Sequence, residues 1–219
     1  MPLMQLHNED CVPVMARTPL GSVDLLLTDP PYNLGKIGWD SRPDPAWEAS
    51  MDAFLRETAR VVRVGGAVII FMSVIRLETV IRLAQKHRLY YKTTGIWHKR
   101  NPMPRNMRLH FVTSTEPWLY FVNRQRTGTF NHRDRPIHDF FECPAPSLRE
   151  RRHGKHPTQK PLALMEFFIQ TLTNPGDTVL DPFMGSGSTG VAAQALGRHF
   201  IGAEVEASYF EIAIKRMKD

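Results

Sequence analysis

The four residues Asp29-Pro30-Pro31-Tyr32 follow a compact apolar stretch, Ser22 to Thr28, and carry the sharpest chemical signal in the chain. The exocyclic amine of a nucleobase is a poor nucleophile because its lone pair is delocalised into the ring. The Asp29 carboxylate and a rigid backbone carbonyl, with Pro30 the candidate, can each accept one of its hydrogens. That pushes the nitrogen towards tetrahedral geometry as an electrophile arrives, a stabilisation made only in the transition state. Tyr32 supplies a ring on which an extruded base can stack. The same residues also suit an ordinary turn at the end of a strand, since two prolines forbid both ladder donation and helix.

A second constellation lies near the other end. Asp181-Pro182-Phe183-Met184-Gly185-Ser186-Gly187-Ser188 falls between a predicted strand and a predicted helix. Glycines at such a corner let the backbone approach a ligand closely, and amides at a helix start favour its anionic part. Seventeen residues beyond Gly187, Glu204 ends the next predicted strand, where a carboxylate can accept both ribose hydroxyls. A GxG alone is only a tight turn, but the whole strand, loop, helix, strand and acid pattern points to a nucleoside cofactor. The third glycine of a dinucleotide fingerprint is missing and there is no GxxxxGK, which disfavours NAD and ATP. No CxxC is present, and His156 has no metal-ligand spacing to Cys143, His153 or His138, so no metal site is expected.

Three blocks position these motifs. The first, to about Trp97, reads as α/β: a strand ending at Asp29, a loop with Gly35, Gly38 and Pro43, and a helix over Trp47 to Val61 stopped by Gly65-Gly66. A strand over Ala67 to Met72, a helix over Val74 to His87 capped by Ser73, and a strand over Leu89 to Trp97 complete it. The last block resumes α/β, with a helix face over Pro161 to Thr173, a turn at Asn174-Pro175-Gly176-Asp177 and a strand over Thr178 to Leu180. The glycine loop, a helix over Ser188 to Leu196, a strand over Phe200 to Glu204 and a final helix from about Ser208 follow. Short apolar strands alternating with amphipathic helices imply a mostly parallel sheet covered on both faces. Between the blocks, residues 99–155 are rich in proline, arginine and asparagine and read as an inserted recognition segment with a hairpin over Phe111 to Val122. Trp39 and Trp47 read as loop and helix packing.

The chain of 219 residues suffices for one domain with a modest insertion and is too short for separate catalytic, nuclease and DNA-reading domains. Its net charge of +6 is concentrated between Lys86 and Lys160, a field suited to a polyanion or simply to a basic surface. Arg100, Arg105, Arg108 and Arg133 are the candidates for contact with phosphates. The apolar runs are too short for a bilayer, the N-terminus reads as lacking a leader, and Cys11 and Cys143 read as reduced thiols.

Taken together, these motifs resemble the DNA adenine-N6 and cytosine-N4 amino-methyltransferases. Asp29 to Tyr32 looks like their catalytic motif and Asp181 to Gly187 like their cofactor motif. The catalytic motif comes some 150 positions earlier, similar to the circularly permuted, beta-type order. The resemblance implies a Rossmann-like, mostly parallel seven-stranded sheet with one antiparallel strand, forming a single methyltransferase domain over 1–219. It implies S-adenosylmethionine as cofactor, with Asp10 of Asn8-Glu9-Asp10-Cys11 near its adenine ring and Glu204 on its ribose. His156-Pro157-Thr158-Gln159-Lys160-Pro161 closes over its methionine half, Lys160 either orienting its carboxylate or only flanking a helix. Asp29, Asp181, Phe183, Gly185, Gly187 and Ser188 complete the implied cofactor site, with plain core packing the alternative for Phe183. Trp97-His98-Lys99-Arg100-Asn101-Pro102 with Pro104 resembles the strand end bordering the target-base pocket. The implied partner is duplex DNA with a flipped adenine, since the acid at position 29 is usual for adenine enzymes where cytosine-N4 enzymes usually carry serine. Cytosine-N4 or RNA methylation, a non-catalytic nucleic-acid binder and, most weakly, a small-molecule or protein methyltransferase are the alternatives. A homodimer and a companion restriction enzyme stay open, and the expected setting is the cytoplasm of a prokaryote, or a phage-encoded equivalent.

Overall fold

Strand β2 (Val23–Thr28) carries the alternation that organises the whole sheet: Leu25 and Leu27 point to one face, Leu26 to the other, and all three are fully buried. In β3 (Val62–Phe71), Ala67, Ile69 and Phe71 oppose Val68 and Ile70; in β5 (Thr115–Asn123), Trp118, Tyr120 and Val122 oppose Leu119 and Phe121. A strand buried on both faces needs apolar residues at every position, which is why these segments read as near-continuous hydrophobic runs. The computed structural model describes residues 2–35, 43–103, 109, 111–124, 126–132 and 134–219. Gly38 and Trp39 lie outside the described residues, as do Pro104, Arg105, Arg108 and Arg133.

The remaining strands are β1 (Met4–His7), β4 (Leu89–Lys99), β6 (Phe140–Cys143), β7 (Thr178–Asp181) and β8 (His199–Ala203). They form one sheet in the order β1-β8-β7-β2-β3-β5-β4-β6, in which β5 alone runs antiparallel to its neighbours. Helices α1 (Cys11–Arg17), α2 (Asp44–Val61) and α3 (Leu77–Lys86) cover one face; α4 (Leu162–Leu172), α5 (Ser188–Ala195) and α6 (Ala207–Met217) cover the other. In α2 the buried residues Trp47, Met51, Phe54, Leu55 and Thr58 recur at helical spacing, giving one apolar stripe against the sheet. None of the described helices is long and apolar enough to cross a membrane. This is the circularly permuted Rossmann-like fold expected. From β2 the chain steps to β3 on one side, whereas β7 leads to β8 on the other, so the β2–β7 boundary is the topological switch point.

Several local expectations need correction. Among the described residues the sheet has eight strands rather than seven, the extra one being the four-residue edge strand β6, which pairs with β4. Gly65 and Gly66 do not separate α2 from a strand; they lie inside β3, where a register shift against β2 absorbs them and Gly65 adopts a φ of 78°. Ser73 makes no side-chain cap: it precedes a 3-10 turn, Val74–Arg76, from which α3 starts at Leu77. No hairpin occupies Phe111 to Val122, because β5 is one strand paired with β4 and β3. Residues 99–155 thus contribute both an interior strand and the edge strand β6 to the sheet.

The β4–β5 pairing depends on one glycine. Gly95 lies opposite Trp118, and a Cβ added there would fall 1.9 Å from the indole Cζ2. The indole cannot retreat easily, since it meets Phe168 of α4 edge-on at 5.0 Å. Gly95→Ala is therefore expected to cost about 1–3 kcal/mol in urea unfolding through overpacking. Combined with Trp118→Leu, it should cost less than the sum of the single changes, because the clash is gone.

Candidate active site

The site forms where β2 and β7 end side by side. Thr28 closes β2 and its hydroxyl donates to Asp181 Oδ1 at 2.7 Å, tying the loop that starts at Asp29 to the glycine loop. Asp181 also accepts from Thr189 Oγ1 at 2.6 Å and from the Phe183 amide at 3.2 Å. Burial pushes its carboxyl up to about 6, with the hydroxyl and amide donors pulling back. Asp181 is a brace between two loops, as its three internal donors indicate.

In the glycine loop, Gly187 has a φ of 76° and precedes α5, and a Cβ there would lie 2.7 Å from Met217 Cε. Glycine is thus required both by conformation and by the close approach of α6. A Cβ on Gly185 would meet the His156 ring at 3.0 Å. Ser188 donates to the Lys160 carbonyl at 2.7 Å, and Arg216 Nη1 donates to the Ser186 carbonyl at 2.7 Å and to Ser188 Oγ at 3.0 Å. The glycine loop is in this way stitched to the segment His156 to Pro161. The Glu204 carboxylate accepts from the Gly185 amide at 3.0 Å and the Glu206 amide at 2.8 Å, and burial raises its pKa. His156 packs edge-on to Tyr209 and is held down to about 4 by burial and by the Lys160 and Arg216 cations, so it is neutral near pH 7.

Three cavities run through this region. The first, about 420 Å³, is lined by Asp10, Cys11, Pro31, Trp47, Phe54 and Phe183 among others. Asp10 caps α1 through the Val12 amide at 2.9 Å, and the Trp47 indole donates to the Pro31 carbonyl at 3.0 Å, fixing the loop after Asp29. A smaller cavity, sharing Phe183, is bounded by Asp29, His156, Thr158, Lys160, Asp181, Gly185 and Ser188. A third, about 590 Å³, shares Thr158 with the second and is lined by Tyr32, Trp97, Lys99, Glu116 and Arg151. Asp29 sits in the second cavity and Tyr32 in the third. Gly187 and Glu204 line none of the three, although Glu204 grips the Gly185 amide.

A buried charge network joins these spaces. The Lys160 ammonium, 7% exposed, pairs with Asp29 Oδ2 and lies 2.9 Å from Glu116 Oε1. Tyr32 donates its hydroxyl towards both Asp29 Oδ1 and Glu116 Oε1, the latter at 2.8 Å, and Lys99 holds Glu116 Oε2 at 2.7 Å. Burial pushes the Asp29 carboxyl up, with Lys160 pulling against it and Glu116 adding to the rise. Burial acts on Glu116 in the same direction, but two lysines overcome it and bring that carboxyl down to about 2.

Sequence reasoning missed Glu116 altogether, and quoted Lys99 only as part of Trp97 to Pro102. The available signal was an acid at the head of the apolar run Trp118 to Val122. Thr28, Thr189 and Arg216, which brace the loops, gave no local signal. Of the proposed phosphate contacts, Arg100 is exposed and 4.0 Å from Glu142, and Arg105, Arg108 and Arg133 lie outside the described residues.

A permuted Rossmann-like sheet with an acid-Pro-Pro-Tyr loop beside a glycine loop at its switch point defines a class, the amino-methyltransferases. The chain belongs to the DNA methylase family of N6/N4 type, which matches it over residues 23–215. It is 28% identical to the type II methyltransferase M.HinfI of Haemophilus influenzae, over 96% of this chain and 67% of that protein. The crystal structure of the M1.HpyAVI–SAM complex superposes with a TM-score of 0.78 at 31% identity, covering 98% of this chain and all of the other. TTHA0409 of Thermus thermophilus, solved with S-adenosyl-L-methionine, gives a TM-score of 0.74 at 26% identity, covering 98% and 93% of the two chains.

The charge network predicts a pH dependence of stability. Glu116 has a folded pKa of about 2, below its usual 4.5, so its contribution is present above pH 4.5 and is lost as pH falls towards 2. Asp29, shifted upward, works in the opposite direction. In urea melts across pH 2 to 7, the stability gap between wild type and Glu116→Gln should be widest above pH 4.5 and narrow steadily on acidification. A gap independent of pH would contradict the ion-paired state of Glu116.

Proposed function

We propose that this protein is an S-adenosylmethionine-dependent DNA methyltransferase acting on adenine N6, and the observation that carries the reading is the placement of Asp29. Its carboxylate lines the cavity bounded by the glycine loop and accepts from the hydroxyl of Tyr32, which lines the neighbouring cavity. The acid is aspartate, the residue associated with adenine in the resembling enzymes, and the chain carries its positive excess between Lys86 and Lys160. The residues fit the cofactor. The cavity bounded by Asp10, Trp47, Phe54 and Phe183 is apolar with one carboxylate at its edge, suited to a purine bearing an amine. Gly185 leaves a gap beneath His156 that a side chain would fill, and Glu204 offers a carboxylate beside it for ribose hydroxyls. Thr158, Lys160 and Ser188 complete the wall on the reacting side.

S-adenosylmethionine, when bound, supplies a methyl group already activated on a sulfonium. The chain's task is to align the amine, accept its hydrogens and exclude water. Asp29 and the Pro30 carbonyl accept hydrogen bonds from the two amine hydrogens. One of these leaves as a proton when the nitrogen gains its methyl group, while the other stays on the product. The Tyr32 ring stacks on the base once it leaves the duplex. No covalent adduct is needed, and neither cysteine serves as nucleophile: Cys11 is buried with its thiol pushed up to about 12 by burial and Asp10, and Cys143 is buried at the end of the edge strand β6.

Two measurements check this reading. Incubation with labelled S-adenosylmethionine and mixed-sequence DNA, then nucleoside mass analysis, should yield N6-methyladenine; N4-methylcytosine would replace adenine as the target, and no product would overturn the activity. Asp29→Ala should lower kcat by about 10²–10³, the cost of removing a preorganised polar group from a transition state, while cofactor affinity stays near wild type. Tyr32→Phe should be milder than Tyr32→Ala because stacking survives.

The cofactor assignment has its own test in calorimetry. Glu204→Ala should weaken S-adenosylmethionine binding by roughly tenfold or more, the worth of hydrogen bonds to a charged acceptor, with the fold retained. Unchanged affinity would remove Glu204 from the site.

A further inference from the structure

Both oxygens of Asp29 are already engaged inside the protein, Oδ1 by the Tyr32 hydroxyl and Oδ2 by the Lys160 ammonium. An amine that donates a hydrogen to Asp29 must share these oxygens with two tightly held donors or displace one of them. Releasing a buried ammonium or phenol from its acceptor is costly unless another acceptor stands ready. Glu116 Oε1 is that acceptor, 2.8 Å from the Tyr32 hydroxyl and 2.9 Å from Lys160 Nζ, so it touches both groups that hold Asp29. Lys99 anchors its other oxygen at 2.7 Å and keeps it from following either donor. A phenol has one hydrogen, so Tyr32 can serve only one of the two carboxylates fully at a time. Glu116 also lines the cavity that contains Tyr32.

We propose that Glu116 is a positioning residue of the methylation site: it takes over Tyr32 and Lys160 when the substrate amine claims Asp29, and so sets how readily Asp29 becomes available. The inference rests on the methyltransferase reading. Without Glu116, the Lys160 ammonium has Asp29 as its one carboxylate among the described residues and holds it against the incoming amine.

The test is a double-mutant cycle of Glu116 and Lys160, with single-turnover methylation of duplex DNA at saturating S-adenosylmethionine. Glu116→Gln should lower the methylation rate by roughly ten- to a hundredfold, the range for groups that orient a directly acting ligand, with cofactor affinity unchanged and part of the rate regained in Glu116→Asp. Adding Lys160→Met should relieve part of the Glu116→Gln loss, making the double variant faster than the product of the single effects. A second readout needs no ligand: the urea midpoint of the ligand-free protein should fall in Glu116→Gln and recover when Lys160→Met removes the stranded ammonium. A Glu116→Gln enzyme at the wild-type rate overturns the proposal, as do losses that simply multiply. If Glu116→Gln does not fold, Glu116→Asp replaces it in the same cycle. Wild-type turnover by Asp29→Ala would remove the methyltransferase reading of this loop and this inference with it. An inactive Asp29→Ala beside a fully active Glu116→Gln would remove this inference alone.

Discussion

One buried ammonium, Lys160, ties the halves of this molecule together. It enters from the segment before α4 and meets Asp29 at the end of β2 and Glu116 at the start of β5. Burying a lysine is tolerable only when carboxylates accept its hydrogens, and removing one partner from such a cluster costs far more than the intact cluster contributes. The cluster therefore constrains the loops more strongly than it stabilises the fold. Ser188 fixes the backbone of Lys160 through its carbonyl, Phe71 lies beneath its ammonium at 5.0 Å, and Trp47 pins the Pro31 carbonyl after Asp29. Each restraint removes a degree of freedom from groups that must meet within a few tenths of an ångström.

The sheet makes this meeting possible. Parallel strands β2 and β7 deliver Asp29 and Asp181 to the same edge, while the antiparallel β5 presents the opposite end of its chain there, bringing Glu116 to the site with its first residues. An all-parallel sheet would have placed the start of that strand at the far edge. The reversal of β5 is thus what lets an acid at its beginning meet Asp29 at the end of β2, one strand beyond its neighbour β3.

Much of the architecture was legible because buried strands and amphipathic helices write themselves as periodic apolar patterns. Strands β2, β7 and β8 and helices α2, α4 and α5 were readable to within a few residues for that reason. The failures have physical causes. Strand β6 is four residues long at an edge and gains its order from pairing with β4, so nothing local announces it. Gly65-Gly66 looked like a break because a bulge and a break demand the same residue. In the site, Asp29 and Tyr32 were readable because their chemistry is contained in four consecutive residues. Glu116 was not: it reaches Tyr32 across 84 residues, and only the strand order brings it there.

The two carboxylates differ in a way that suits different tasks. Burial pushes both towards the neutral form, yet Glu116 has two lysines against it and stays ionised to about pH 2, whereas Asp29 has one and is pushed upward. A carboxylate whose charge is poorly compensated is the better hydrogen-bond acceptor, because a new donor relieves more of its burial cost. On the methyltransferase reading, Asp29 is then the group with most to gain from an entering amine, and Glu116 the one placed to hold its donors. Environments that drive two like groups apart in this manner assign them separate roles. Here the difference between the two environments is made by Lys99, a residue at the end of β4 that pairs with Glu116 and not with Asp29.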